Sequence, residues 1–187
     1  MKRLPNLLTG ARLASAPLFA LLFMRETLWS YALCAALLAY AILSDWYDGR
    51  LARRYHCVSV FGQLFDPIAD YVFFLTAFLC FVATGWMPLW MYVILLVREV
   101  AMHLGLRLYL AHVHVSMPAR RSGKLKTALQ CVVAGAGIVL VAAYHLAPAG
   151  WMLIAAWWMF LSIALVSAFS MVEYGLALRR LLSGRCA

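Results

Sequence analysis

No charged side chain occurs in residues 71–97, which read YVFFLTAFLCFVATGWMPLWMYVILLV. The hydrocarbon core of a bilayer is about 30 Å thick and needs roughly 20 apolar residues per helix, so this run and its flanks can supply two membrane-spanning segments. The turn residues between Gly85 and Pro88 divide the run, because glycine and proline favour a chain reversal over a continued helix. The stretch therefore predicts an apolar helical hairpin.

The rest of the chain has the same character, since 66% of its 187 residues are hydrophobic and only 12% are charged. This composition is far more apolar than that of a typical soluble domain. Turn and charge signals separate six apolar segments, at approximately 6–25, 29–54, 61–84, 88–111, 123–146 and 150–178. The sequence predicts an all-α integral membrane protein with six transmembrane helices, and residues 1–187 form a single membrane domain.

The basic residues indicate how the chain crosses the membrane, because cytoplasmic loops carry an excess of lysine and arginine. With six spans, the opposite side holds only Arg25, and an aromatic belt at that face would contain Trp29, Trp86, Trp90 and Trp151. The basic residues on the side of the termini are Lys2, Arg3, Arg53, Arg54, Arg120, Arg121, Lys124, Lys126, Arg179, Arg180 and Arg185. Both termini are therefore predicted to be cytoplasmic. The net charge of +9 follows this distribution, which favours anionic membrane lipids and not nucleic acid as the partner.

Four aspartates lie inside predicted spans, where a carboxylate is costly and persists only when it is paired or used. Asp45 and Asp48 are three residues apart on the second helix, and Asp66 and Asp70 are four apart on the third, so each pair shares one helix face. The two helices are joined by a short connection and are expected to pack antiparallel. Because repulsion among four carboxylates requires a cation, and all-oxygen ligands suit hard ions, a Mg²⁺ or Mn²⁺ site is predicted.

Two alternatives use the same acids differently. They could pair with nearby arginines to fasten the helix hairpin, or they could line a route for protons or cations. The neighbouring residues favour a pyrophosphate site: Gly49 and Gly62 remove side-chain bulk beside the acids, and Arg53 adds a cation.

The complete pattern is Asp45-x2-Asp48-Gly49-x2-Ala52-Arg53-x8-Gly62-x3-Asp66-x3-Asp70. It resembles the signature of the CDP-alcohol phosphatidyltransferase family at all eight fixed positions. Residues 5–9 with Arg12, the pair Arg98-Glu99 and residues 123–127 are similar to segments of the bacterial members that make phosphatidylglycerophosphate.

The resemblance implies a six-helix enzyme of the bacterial inner membrane, usually a homodimer, with two divalent ions and a site open to the cytoplasm. It implies transfer of a phosphatidyl group from CDP-diacylglycerol to glycerol 3-phosphate. Asp45, Asp48 and Asp66 would bind metal, and Asp70 would share in metal binding and act as the catalytic base. The residues implied to contact the CDP-lipid are Asn6, Thr9, Gly49, Ala52, Arg53 and Gly62.

The phosphate of the acceptor would need basic groups near the same face. The candidates are Arg98, Arg107, Arg120, Lys124 and Lys126. Arg98 lies well inside its span and beside Glu99, where a charge without a function is improbable. The alternative to binding the acceptor phosphate is that Arg98 forms a structural ion pair with an acid. Tyr71 stands where family members commonly have lysine. Cardiolipin synthase, whose acceptor is phosphatidylglycerol, and enzymes that use inositol phosphates are alternatives within the family.

Two further patterns are interpreted as structural. The five cysteines are scattered and suggest neither disulfides nor a metal pair, so they are expected to fill apolar space. Gly135 and Gly137 lie within a span without a preceding strand and are expected to allow close helix approach.

Overall fold

A computed structural model describes the backbone of residues 4–55, 60–102 and 121–183, and the side chains of residues 10–44, 71–102 and 122–179. The described residues contain six helices and no strand. The helices are α1 (Leu4–Phe23), α2 (Leu28–Tyr55), α3 (Val60–Ala83), α4 (Leu89–Val100), α5 (Arg121–Leu146) and α6 (Gly150–Ser183). The prediction of an all-α chain is confirmed.

The helix boundaries lie within a few residues of the predicted ones, with two differences. The predicted fourth segment extends to residue 111, whereas α4 is described only to Val100, and residues 103–120 lie outside the described part. The last helix continues to Ser183, five residues beyond the predicted end at 178, because the basic residues that suggested an end can remain helical at a membrane surface.

The hairpin of α3 and α4 turns at Gly85. The N–H of Trp86 donates to the carbonyl of Phe81 (2.9 Å), and the N–H of Gly85 donates to the carbonyl of Val82 (3.0 Å), which is the Schellman arrangement for ending a helix. This arrangement needs a left-handed residue, and Gly85 has a φ of 79°. The sequence signal at Gly85 is thus explained by a specific backbone requirement.

The start of α2 is fixed by a reciprocal cap. The N–H of Thr27 donates to Ser30 Oγ (3.1 Å), and the N–H of Ser30 donates to Thr27 Oγ1 (3.3 Å). Both bonds satisfy N–H groups at a helix start, where no carbonyl of the helix is available to accept them. Only four residues separate α1 from α2, so the two helices run antiparallel.

The interior is built around aromatic rings. Helix α1 packs extensively on α3 and also on α2, while α6 packs on α5 and α4, and α5 also contacts α2 and α3. Phe81 is central to this core, with its ring centroid 5.1 Å from those of both Phe23 and Phe160. Phe19 meets Phe73 edge to face at 5.5 Å, which adds a second aromatic contact between α1 and α3.

Helices α3 and α5 approach closely at Gly137. A Cβ atom at this position would lie 2.8 Å from Phe81 Cζ and 3.4 Å from Phe160 Cζ, so only glycine leaves room for both rings. At Gly135 a Cβ would make an ordinary contact of 3.7 Å with Leu38. The expectation of close approach is therefore confirmed at Gly137 and is weaker at Gly135.

The outer surface is strongly apolar. Trp29 is 82% exposed, Leu146 70% and Phe169 66%, and many other large apolar side chains are also exposed. Soluble proteins rarely expose apolar area on this scale. Among the described residues, 122–146 and 150–179 are long and apolar enough to cross a bilayer, with mean hydropathies of 1.9 and 2.1. These features suit a membrane protein.

Candidate active site at the acidic end of the bundle

The four signature aspartates lie at matching depths on neighbouring helices. Asp45 is ten residues before the end of α2 at Tyr55, and Asp70 is ten residues after the start of α3 at Val60. Asp48 and Asp66 are seven and six residues from the same two ends. At 1.5 Å per residue, all four positions lie about 9–15 Å from these ends. Helices α2 and α3 contact each other, and only four residues separate the end of α2 from the start of α3, so antiparallel packing would put both acidic segments at one level of the bundle.

The side chains of these aspartates lie outside the described residues, and the metal site stays a prediction that rests on its donor types. The segments offer four carboxylates on two helices, with no thiol or imidazole among the signature positions. Such a donor set fits Mg²⁺ or Mn²⁺ and not a structural zinc ion. No group of three or more potential metal ligands occurs among the side chains that the structure does describe.

The implied CDP-lipid residues occupy the same end of the bundle. Asn6 and Thr9 belong to the first half of α1, Gly49, Ala52 and Arg53 to the last part of α2, and Gly62 to the start of α3. Helix α1 packs against both α2 and α3. The side-chain arrangement of these residues lies outside the described part, and their roles remain predictions.

A buried charge cluster connects α4, α5 and α6. Arg98 Nη1 donates to Glu99 Oε2 at 2.9 Å, and the ammonium of Lys126 pairs with Glu99 Oε1. Lys126 also donates to Gln130 Oε1, and Arg98 Nη2 makes a long contact of 3.5 Å with Ser170 Oγ. Arg98, Glu99 and Lys126 are 7%, 2% and 2% exposed, so one carboxylate bridges two cations inside the protein.

The cluster changes the interpretation of the predicted acceptor residues. The acid-pair alternative for Arg98 is observed, and Lys126, a candidate for binding the acceptor phosphate, is buried and paired with Glu99. Lys124 is exposed, because it is two positions from Lys126 and therefore faces another side of α5. Arg107 and Arg120 lie outside the described residues. Among the described atoms, Arg98 Nε is buried without a hydrogen-bond partner, as are Ser122 Oγ on α5 and Ser167 Oγ on α6, so Arg98 keeps donor capacity in this cluster.

A buried polar pair between α1 and α2 was not among the predicted contacts. Arg12 is 1% exposed, and its Nε and Nη2 atoms donate to Ser44 Oγ at 3.1 and 2.7 Å. Ser44 directly precedes Asp45 in α2. A charged residue inside a predicted span was the available signal for Arg12. The importance of Ser44 depends on how α1 is rotated against α2, which the sequence does not specify.

Tyr71, which directly follows Asp70, is half-buried on α3. A lysine here would add a positive charge beside the proposed base, whereas tyrosine adds a neutral aromatic side chain. The departure from the family pattern therefore changes the local charge and keeps the helix.

Comparison with known proteins gives a consistent result. The family model for CDP-alcohol phosphatidyltransferase matches residues 2–168. The chain is 39% identical over 130 residues to CDP-diacylglycerol–glycerol-3-phosphate 3-phosphatidyltransferase of Rickettsia typhi, covering 70% of this chain and 72% of the relative. It is 34% identical over 148 residues to the Bacillus subtilis protein of the same name, covering 73% and 76%.

A relative with another name is also similar. Cardiolipin synthase (CMP-forming) of Streptomyces coelicolor is 32% identical over 167 residues, covering 83% of this chain and 78% of the relative. The family match extends from α1 into α6 and includes both acidic segments and the cluster residues Arg98, Glu99 and Lys126. The chain is therefore an enzyme of the CDP-alcohol phosphatidyltransferase family.

Proposed function

We propose that this enzyme transfers the phosphatidyl group of CDP-diacylglycerol to glycerol 3-phosphate, producing phosphatidylglycerophosphate and CMP. The main supporting observation is the depth match of Asp45 and Asp48 on α2 with Asp66 and Asp70 on α3. This arrangement fits one compact site for a diphosphate. The names of the Rickettsia and Bacillus relatives support the choice of donor and acceptor.

In the proposed reaction, the acceptor hydroxyl attacks the phosphorus that carries diacylglycerol, and the bond from this phosphorus to the oxygen of CMP breaks. Asp70 accepts the hydroxyl proton. Asp45, Asp48 and Asp66, with a share from Asp70, would hold two divalent ions. Bound Mg²⁺ or Mn²⁺ supplies positive charge that stabilises the developing charge on the leaving phosphate. The CDP group would be oriented by Asn6, Thr9, Gly49, Ala52, Arg53 and Gly62.

The acceptor phosphate would be bound on the side of the charge cluster. The cluster brings two basic groups, Arg98 and Lys126, together with one acid, Glu99, and Arg98 Nε has unused donor capacity among the described atoms. Lys124 adds an exposed cation on α5, the helix that carries Lys126. Arg107 and Arg120 complete the set of residues that we propose bind the acceptor phosphate. An anionic acceptor is favoured by this charge over a neutral one such as inositol or serine.

The same proposal places six spans in a bacterial inner membrane, with both termini and the active site on the cytoplasmic side and with a homodimer as the assembly. The distribution of basic residues supports this orientation. The tryptophans support it as well, since Trp29, Trp90 and Trp151 are exposed where α2, α4 and α6 begin, at the end opposite the aspartates.

The test is CMP release by the purified protein in detergent with CDP-diacylglycerol and Mg²⁺ or Mn²⁺. Separate reactions contain glycerol 3-phosphate, phosphatidylglycerol, an inositol phosphate or serine. We expect release with glycerol 3-phosphate and loss of release with EDTA. Release with another acceptor alone would contradict the acceptor assignment. Absence of release with every acceptor would contradict the transferase function and favour a transport protein.

Cardiolipin synthesis is the second candidate, and the relative from Streptomyces coelicolor supports it because its match covers the larger share of this chain. The two functions differ in where the acceptor resides, since phosphatidylglycerol is a lipid and glycerol 3-phosphate is water-soluble. The acceptor panel separates them directly.

A further inference from the structure

The buried Arg12 side chain lies at an unusual place in the bundle. A guanidinium in a membrane protein interior is costly unless it is held by hydrogen bonds and compensated by negative charge. Arg12 is 1% exposed and donates two hydrogen bonds to the single oxygen of Ser44, across the contact between α1 and α2. Those two bonds tie the guanidinium of α1 to one hydroxyl of α2.

Ser44 is itself held in place. Its hydroxyl donates to the carbonyl of Ala41 at 3.0 Å and accepts from Arg12, so its oxygen is fixed between its own helix and α1. On α1, Ser15 Oγ donates to the carbonyl of Arg12 at 2.6 Å. The two bonds from Arg12 to Ser44 thus link α1 to α2 at the residue immediately before Asp45.

The position of Arg12 also relates it to the acidic segments. It lies eight residues from the start of α1 at Leu4, about 12 Å along the helix, within the depth range of the aspartates. Helix α1 packs on α2 and α3, which carry those aspartates.

We propose that Arg12 is a positioning residue of the active site: through Ser44 it sets the placement of Asp45 and Asp48 for divalent-metal binding. This inference rests on the proposed function. The interaction between Arg12 and Ser44 can be tested without removing the positive charge at position 12. Ser44→Ala removes the hydrogen-bond acceptor. Arg12→Lys replaces the guanidinium, which donates two hydrogen bonds to Ser44, by an ammonium group. A change in metal affinity in these variants then reports altered geometry and not altered charge.

The experiment measures Mn²⁺ binding to the purified full chain in detergent, by electron paramagnetic resonance and without lipid or acceptor. Ser44→Ala and Arg12→Lys are each expected to weaken Mn²⁺ binding about fivefold to tenfold. The double variant is expected to bind about as weakly as either single variant, because both remove the same interaction. The matched control is Ser162→Ala: Ser162 Oγ also donates to the carbonyl three residues earlier (2.7 Å), and has no donor from another helix among the described residues.

Several outcomes would overturn the proposal. Wild-type Mn²⁺ affinity in both charge-preserving variants would exclude a positioning role even if their melting temperatures fell, since a purely structural bond affects stability alone. Independent, multiplicative effects in the double variant would exclude a shared interaction. Equal weakening by Ser162→Ala would make the effect non-specific. Failure of the wild-type chain to bind Mn²⁺ would instead contradict the metal site of the proposed function, so the two failures are distinguishable.

Discussion

The Asp70→Asn variant removes a proton acceptor and keeps the size of the side chain. If Asp70 is the base, turnover should fall by at least about 100-fold, which is the lower range for a general base, while CDP-diacylglycerol binding is retained. The measurement is CMP release together with equilibrium binding of the donor. Asp70→Glu is the companion variant, since it keeps the carboxylate and displaces it. Near-normal turnover of Asp70→Asn would show that another group accepts the proton.

Glu99 is expected to matter for stability because its carboxylate bridges Arg98 and Lys126 in the interior. Glu99→Gln leaves two buried cations without that negative charge and should destabilise the protein by about 3–5 kcal/mol. Lys126→Met should cost less, because the pair of Arg98 with Glu99 remains. The measurement is thermal unfolding in detergent, with exposed Glu26→Gln as the control. Equal melting temperatures for Glu99→Gln and wild type would refute the bridging role.

Individual residues differ in how well the sequence predicts their roles. The aspartates could be identified because costly carboxylates at helical spacing are visible in the sequence. The bridge between Glu99 and Lys126 could not, since these residues are 27 positions apart and meet only when α4 and α5 have the observed relative rotation. The same reason applies to Ser44, whose partner Arg12 is 32 positions away.

At the scale of an element, Gly137 controls how closely α5 can approach α3. In Gly137→Ala the new methyl group would lie 2.8 Å from Phe81 Cζ, so the rings must move and the variant should lose about 1–3 kcal/mol of stability. Gly175→Ala is the matched control within α6, because nothing lies within 4 Å of its added Cβ. Alanine also favours helices over glycine, so the control should be neutral or slightly stabilised. The measurement is again thermal unfolding.

The helices themselves were largely predictable from apolar length, charge breaks and turn residues. Gly85 gave a precise boundary because a left-handed helix end needs glycine, and its φ of 79° explains that signal. The end of α6 was placed too early, since Arg179 falls in the helix although arginine was taken as a loop signal. Charge identifies the membrane side of a segment better than it identifies the last helical residue.

At the scale of the molecule, the predicted orientation can be tested by cysteine labelling. The native cysteines, Cys34, Cys57, Cys80, Cys131 and Cys186, are first replaced, and single cysteines are introduced at exposed positions. In spheroplasts, a membrane-impermeant maleimide should label Arg25→Cys and Ala147→Cys directly. It should label Arg179→Cys only after permeabilisation. The reverse pattern would invert the topology, and CMP release by each variant serves as the control for folding.

The depth of the acidic positions has a consequence for kinetics. Helix α2 is 28 residues long, about 42 Å, which matches a bilayer with its headgroups, so positions about 9–15 Å from its end lie near the headgroup boundary. We predict that the diphosphate of the donor is reached there by lateral diffusion, without extraction of the lipid. Initial rates in mixed micelles should then follow the surface mole fraction of CDP-diacylglycerol. Added inert detergent should slow the reaction at constant bulk donor concentration, and unchanged rates on such dilution would mean that the lipid is taken up from solution.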